Sequence, residues 1–529
     1  MTKPIDLSPE KQLLKLKEKY FGSKEDSPVT VILTTFFTMF FCYFLHMIYG
    51  LGCPDTLTEG IYSYRTADFS TSLARWMIRY LNEIFGKNIV ISPLIVFFYC
   101  LMIGMSAYMI CRMTKINDIF SQIILTAMMV SFPVVLHHFA YMYIAISYSF
   151  SFLAVTFGVL LIRTRKTGGM IGGTVCFLLM MGSYQAYIAA IAALALIMFV
   201  YDILHEEEVK IGITRFTLNA GCGLMACIIN IPFSSLMMKI HKVEPSSRVS
   251  GFSIREIFEN LGFSLKYSYI WFFSYFNNDV LSRNKLYAVI FIVIAVLCIL
   301  TIIKLVKEKK VIKAVIAAVS VLVLPLAMNL LLIVIPSYGM HDILRYQYVL
   351  IFALMLILMK YLSKDPVCEI LKYPAIIVMI GLFMGNVVSA NSTAHMYKIY
   401  YDHYEQQYTL AMGKIYELDG YTENVTKIVM GGTPSCEVYH INNPRVFRYA
   451  EIEGGPVFWN DPFGMTAGRE YYFKDFLGID PGVLTNEEYH DMVHSEEYAG
   501  MPLWPQEGSV KMINGMAVLK FSDNPPVYY

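Results

Sequence analysis

The sequence predicts a polytopic α-helical membrane protein with about eleven transmembrane helices and a C-terminal extracytoplasmic α+β domain. Three observations carry the prediction. Of 529 residues, 56% are hydrophobic and 16% charged, and the mean hydropathy is +0.51; ordinary soluble domains are about 45–50% apolar and about 25% charged. About eleven apolar runs approach the roughly 20 residues that cross about 30 Å of hydrocarbon. Lys and Arg collect in alternate connections between those runs, as they do when short basic loops stay cytoplasmic. The 42 Lys and Arg balance 41 Asp and Glu to a net charge of +1, so extended nucleic-acid binding is not expected.

The runs lie near 29–51, 89–111, 117–136, 143–162, 169–183, 186–204, 212–237, 286–306, 313–336, 344–362 and 374–391. Residues 1–28 are mostly polar and form a cytoplasmic N-terminal segment. The first run is longer than a signal core and lacks a small-residue cleavage site, so an uncleaved anchor is expected. The fifth run is short, and Gly172, Gly173 and Gly182 mark it for close packing. The fifth and sixth runs also fit a re-entrant pair, which changes the count and not the parity. One side of the chain holds Lys11, Lys15, Lys17, Lys19, Arg112, Lys115, Arg163, Arg165, Lys210, Arg215, Lys304, Lys307, Lys313 and Lys360. That side is cytoplasmic, and an odd count puts 392–529 outside a membrane domain at 29–391. The location is the plasma or inner membrane. Of ten cysteines, only Cys53 and Cys436 face outward under this topology, with two unpaired thiols favoured over a disulfide. No Cys/His spacing fits a metal, and none is expected.

Two external loops, 52–88 and 238–285, exceed what a connection needs. The first opens with Pro54-Asp55-Thr56-Leu57-Thr58-Glu59-Gly60 directly after the first span. If Pro54 starts a helical turn, Asp55 and Glu59 share a face at i,i+4 spacing. A carboxylate at a low-dielectric boundary suits general-base work; a helix cap with ordinary solvated acids fits the same residues. From Asp68 onward, Phe69, Leu73, Trp76, Met77, Tyr80, Leu81 and Ile84 fall on one face of a helix that Asp68 can cap. Ser72, Arg75, Arg79, Asn82 and Glu83 fall on the other. This describes an interfacial helix with Trp76 and Tyr80 at headgroup depth and two arginines available for phosphate or snorkelling. Residues 252–276 repeat the pattern with a dense aromatic run.

Arg345 is the one Lys or Arg between Lys313 and Lys360, in His341-Asp342-Ile343-Leu344-Arg345 at the outer end of the tenth span. Its guanidinium must pair with Asp342, snorkel, or hold an anion such as a lipid phosphate. Tyr184-Gln185 occupies the turn between spans five and six, where Gln185 can bond a polyhydroxyl ligand or a neighbouring helix. His137 and His138 read as a solvated outer turn. The spans hold almost no ionisable residue near their centres, and no matching pair of broken spans appears, so chemistry at the surface fits better than ion-coupled transport.

Composition shifts after Asn391 as charge rises and long apolar runs stop. Residues 425–430 followed by Gly431-Gly432 read as a strand and turn. Thr485-Asn486-Glu487-Glu488 is a capping box opening a helix to about Tyr498. Ser509 to Lys520 around Asn514-Gly515 is a hairpin.

Together these residues resemble the O-antigen-modifying glucosyltransferases of Gtr type II, within the GT-C superfamily. The resemblance rests on Pro54 to Gly60, on Ser72-Leu73-Ala74-Arg75-Trp76 with Arg79-Tyr80, and on Gly182-Ser183-Tyr184-Gln185-Ala186-Tyr187. It implies a GT-C-like fold. It also implies transfer of a sugar, glucose foremost, from a polyprenyl-phosphate donor to a cell-surface glycan on the outer face. The expected base is Asp55, with Glu59 or Asp68 as alternates. Arg75, Arg79, Arg345, Gln185, Tyr184 and Trp76 would surround the donor phosphate and sugar. No metal or cofactor is expected. Members of the family carry paired aspartates where Asp55-Thr56 stands and Gly where Ala74 stands, which leaves the base open among the three acids. The rivals are a lipid-linked glycan carrier and a non-catalytic subunit of an envelope complex.

Overall fold

A computed structural model describes residues 28–51, 65–85, 91–246, 254–277, 283–334, 341–434 and most of 478–525. Among them, nine helices are long and apolar enough to cross a membrane, and two further apolar helices are shorter. The chain opens with α1 (Val29–Tyr49), two short helices α2 (Arg65–Ser72) and α3 (Met77–Phe85), then α4 (Ser92–Met113) and α5 (Ile119–Val130). Next come α6 (Val134–Ala140), α7 (Ala145–Ile162), α8 (Thr167–Ser183), α9 (Ile188–His205) and the 33-residue α10 (Val209–His241). After α11 (Ile254–Glu259) and α12 (Leu261–Phe276), the bundle closes with α13 (Arg283–Lys307), α14 (Val311–Met328), α15 (Leu330–Val334), α16 (Leu350–Tyr361) and α17 (Pro366–Tyr416).

Local chemistry sets the ends. The Asp118 carboxylate accepts from the Ser121 amide at the start of α5, and Asp365 caps α17 ahead of Pro366. Lys115, at φ 53°, ends α4. Pro133 separates α5 from α6 within one apolar stretch. Glycines let α7 and α8 close on each other: a Cβ on Gly158 would lie 2.6 Å from Phe177, and one on Gly173 would lie 2.4 Å from Ile162. α9 is the central helix, with Ala189, Leu194, Ile197 and Val200 all buried.

Up-and-down connectivity gives the bundle two ends. At the upper end Gly50 meets Ser92 and His46 packs on Phe139. At the lower end the buried Asp202 receives both amino groups of Arg163, at 2.9 and 2.7 Å, and one from Arg215 at 2.8 Å. Arg215 also reaches Glu206, whose carboxyl it holds below the usual range. Lys360 donates to the Thr114 and Lys115 carbonyls, and Lys304 to that of Tyr361. A buried charge needs this kind of satisfaction.

Three features differ from the sequence reading. The run at 313–336 is not one continuous helix: α14 stops at Asn329, whose amide donates to the Ser268 and Pro325 carbonyls while its oxygen accepts from Tyr348. Pro325 has no N–H to continue the ladder. The helix that carries the last apolar run does not end with it at 391, because α17 is a single helix of 51 residues, about 76 Å long. The composition shift after Asn391 falls inside it, where the buried face turns to tyrosine: Tyr397, Tyr400, Tyr401, Tyr404 and Tyr408. His137 and His138 are not solvated; they are 5% and 0% exposed, each engaged by a neighbour described below.

Beyond α17 lies a three-stranded sheet in the order β1 (Ile428–Gly431), β3 (Met516–Lys520), β2 (Val510–Ile513). β1 and β3 run parallel with Ile428 opposite Ala517. β2 and β3 form the hairpin, with Asn514 at φ 48° and Gly515 at φ 75° in its turn. The capping box is present at α18 (Asn486–Val493). That helix ends at His494 rather than continuing to Tyr498, because the Ser495 side chain caps a separate turn, α19 (Glu496–Ala499). Trp504 donates to Gln407 at 2.8 Å and Phe521 meets Tyr408 edge-on, which seats the sheet against α17.

Candidate active site

The expected interfacial helix is broken in two. α2 ends at Ser72, Ala74 takes φ 61°, and α3 starts at Met77. An alanine in the left-handed region costs roughly 1–2 kcal/mol, so something must hold it there. Gln185 does: its side-chain amide donates to the Leu73 carbonyl at 3.0 Å and the Ala74 carbonyl at 3.1 Å, which the break leaves without helical partners. Its oxygen faces Arg75 Nε at 3.5 Å. Gln185 is therefore spent on the protein and not presented to a ligand. It can reach the break because α8 ends at Ser183 and the chain turns through a short 3₁₀ segment, Gln185–Tyr187.

The break aims two side chains differently. Trp76 turns inward, 5% exposed, donates to Asn230 of α10 at 3.1 Å and packs edge-on to Phe233. Gly182 makes room, since a Cβ there would come within 2.2 Å of the indole. Arg75 lies half-buried over the Tyr184 ring, 4.5 Å from its centroid, a cation–π contact. Among the described residues its terminal amino groups meet no acceptor, so a half-buried guanidinium is oriented but unspent. Arg79 is engaged differently: it pairs with the exposed Asp68, which stands inside the first turn of α2 and not at its cap.

Arg345 sits across the same upper end, in the turn between α15 and α16. It pairs with Asp342 and lies over the Tyr275 ring at 5.8 Å. His137 Nε2 approaches Asp342 at 3.7 Å. His138 Nε2 bonds the Ile343 carbonyl at 2.9 Å, and its Nδ1 bonds the Tyr99 hydroxyl at 2.6 Å. His138 then stacks on Tyr148 at 4.2 Å, and Tyr148 meets Tyr184 edge-on at 4.7 Å. An aromatic wall of Tyr184, Tyr148 and His138 thus connects the Arg75 break to the Arg345 turn.

The structure brings together Arg75, Trp76, Tyr184 and Gln185, places Arg79 with Asp68 beside them, and sets Arg345 at the far end of the wall. Asp55, Glu59 and Cys53 lie outside the described residues, as does Cys436. Sequence reasoning missed Asn230, Tyr148 and His138. Asn230 is one of two asparagines, with Asn219, in the apolar run of α10, a signal for a buried polar contact; nothing local marks the other two.

These features define a multi-pass helical membrane protein whose upper end carries an oriented arginine and an aromatic wall. A family model described as Glucosyl transferase GtrII matches residues 58–358, more than half of the chain, and the protein belongs to that family. No curated protein and no solved structure matches it. The matched stretch contains Glu59, Asp68, Arg75, Trp76, Arg79, Tyr184, Gln185 and Arg345; Asp55 precedes it. Membership makes the chain a glycosyltransferase, with a sugar donor and a glycan acceptor.

Proposed function

We propose that the protein moves glucose from a polyprenyl-phosphate carrier to a cell-surface polysaccharide on the outer face of the plasma or inner membrane, by one inverting displacement. The observation that carries this reading is Arg75: a half-buried guanidinium held by Gln185 and Tyr184 with its terminal amino groups unspent. That is the arrangement a departing phosphate needs, because a preoriented cation pays no reorganisation at the moment of reaction. A base among Asp55, Glu59 and Asp68 takes the acceptor hydroxyl proton. The acceptor oxygen then bonds to the anomeric carbon, and the carbon–oxygen bond to phosphate breaks. The electron pair leaves on the polyprenyl phosphate, which Arg75 neutralises, with Arg345 as a second cation across the wall. A phosphate monoester leaving group requires no metal for this step.

The topology follows the same reading. In this reading the two shorter apolar helices also cross, giving eleven spans and a GT-C-like arrangement; the nine long apolar helices among the described residues support it. With the basic lower end cytoplasmic, the upper end and the sheet after α17 face outward, and 392–529 carry the extracytoplasmic domain. The test is transfer of radiolabel from polyprenyl-phosphate glucose to an envelope glycan by purified, reconstituted protein. Wild type should transfer, Asp55→Asn and Arg75→Ala should fall by at least a hundredfold with the fold intact, and Arg75→Lys should recover little. Full activity in Arg75→Ala would overturn the reading. Movement of the carrier across vesicles without sugar transfer would replace it with a carrier.

A further inference from the structure

Two cavities at the lower end share lining residues and make one groove. The first, about 410 Å³, is lined by Lys115, Asp118, Lys360, Glu369 and Lys372 where α4, α5, α16 and α17 converge. The second, about 330 Å³, lies between α1, α5 and α17 and is lined by Phe37, Phe41, Ala127 and Phe383. Ile124 and Met379 line both. One end of the groove is therefore charged and the other apolar.

We propose that this groove binds one anionic glycerophospholipid of the adjoining leaflet, with its phosphate at the lysines and an acyl chain between α1, α5 and α17. The charge argues for an anion. Three lysines meet two carboxylates there, and with Lys360 turned to the Thr114 and Lys115 carbonyls the phosphate would meet Lys115 and Lys372. α5 and α17 both begin at this mouth, each already capped by an aspartate, Asp118 and Asp365, so the lysines carry the attraction. The depth argues for a single leaflet. Asp118 to Met128 is ten residues of helix, about 15 Å, which is half of an approximately 30 Å hydrocarbon core. The chain of a polyprenyl carrier would overrun a groove of that length. The site lies at the end of the bundle opposite Arg75, so it stands independently of the transfer chemistry.

Native mass spectrometry of delipidated full-length protein, titrated with palmitoyl-oleoyl phosphatidylglycerol or phosphatidylcholine, tests it. Wild type should bind one phosphatidylglycerol ahead of all others, and bind phosphatidylcholine at least tenfold more weakly. Lys115→Gln with Lys372→Gln should weaken the first event about 25-fold, near fivefold per lysine, and Lys115→Arg should restore its share. Ala127→Phe, which fills the apolar half and leaves every charge in place, should abolish the event while melting temperature and elution stay unchanged. Equal binding of the two lipids, or wild-type binding in both the lysine and Ala127 variants, would overturn the site. A polyprenyl phosphate that binds more tightly than phosphatidylglycerol and is lost in the same variants would overturn the occupant.

Discussion

Gln185 gives the sharpest test of how the site is built. Its amide nitrogen supplies two hydrogen bonds, at 3.0 and 3.1 Å, to the carbonyls on either side of the α2–α3 break, and its oxygen steadies Arg75. Each such bond is worth about 0.5–1.5 kcal/mol net, so Gln185→Met, close in size and without donors, should release about 1–3 kcal/mol of local ordering. At 1.36 kcal/mol per factor of ten, the population with Arg75 correctly aimed falls roughly five- to 150-fold, and kcat should fall with it. Gln185→Glu should be worse still: it loses both donors and sets a carboxylate beside Arg75, which would compete with the proposed donor phosphate. The assay is single-turnover transfer with saturating donor, alongside a melting curve to show that the bundle stays folded. A Gln185→Met enzyme that keeps its kcat and loses only affinity for the acceptor would refute the argument. It would return Gln185 to direct sugar recognition.

Three further outcomes follow from the same geometry. Ala74→Gly should raise stability by up to about 1 kcal/mol without loss of transfer, because glycine occupies φ 61° freely; Ala74→Val should destabilise, and chemical denaturation reads both. Asp202→Asn leaves the half-buried Arg163 without its carboxylate and Arg215 with Glu206 alone, and should cost about 3 kcal/mol, seen as a lower melting temperature in detergent. In the C-terminal region, a hydrogen bond from Lys427, followed by the Thr485 amide, holds the Glu488 carboxyl below its ordinary value of 4.5. A depressed carboxyl contributes stability above that ordinary value and loses it as pH falls through the folded one. Amide protection in α18 should therefore decline below about pH 4.5 in wild type, and Glu488→Gln should flatten that decline.

The spans were legible because lipid imposes a length and a composition that few other environments demand. The hairpin at Asn514-Gly515 and the capping box at Thr485 were legible because both are local. What escaped depended on distant partners. The amphipathic pattern from Phe69 to Ile84 runs straight through the break, where Gln185, more than a hundred residues onward, donates to the Leu73 and Ala74 carbonyls and Ser246 to that of Ser72. His137 and His138 follow Pro133 and look like a turn; Tyr99 from α4 and Ile343 from the far side of the bundle bury His138 there. Arg163 and Arg215 were read correctly as basic residues of one side, but their shared carboxylate, Asp202, sits on a third helix.

The length of α17 has a mechanical meaning. The apolar run ends at 391, and residues 392–416 of α17 extend it by about 37 Å of rigid rod. The sheet seated on its far part is held at a set height, like a mast-head, and cannot drift as a domain on a loose tether would. Height and azimuth are coupled in such a rod: removing four residues lowers the mast by about 6 Å and turns its head by about 40°, whereas removing eighteen, five whole turns, lowers it by about 27 Å and leaves the heading unchanged.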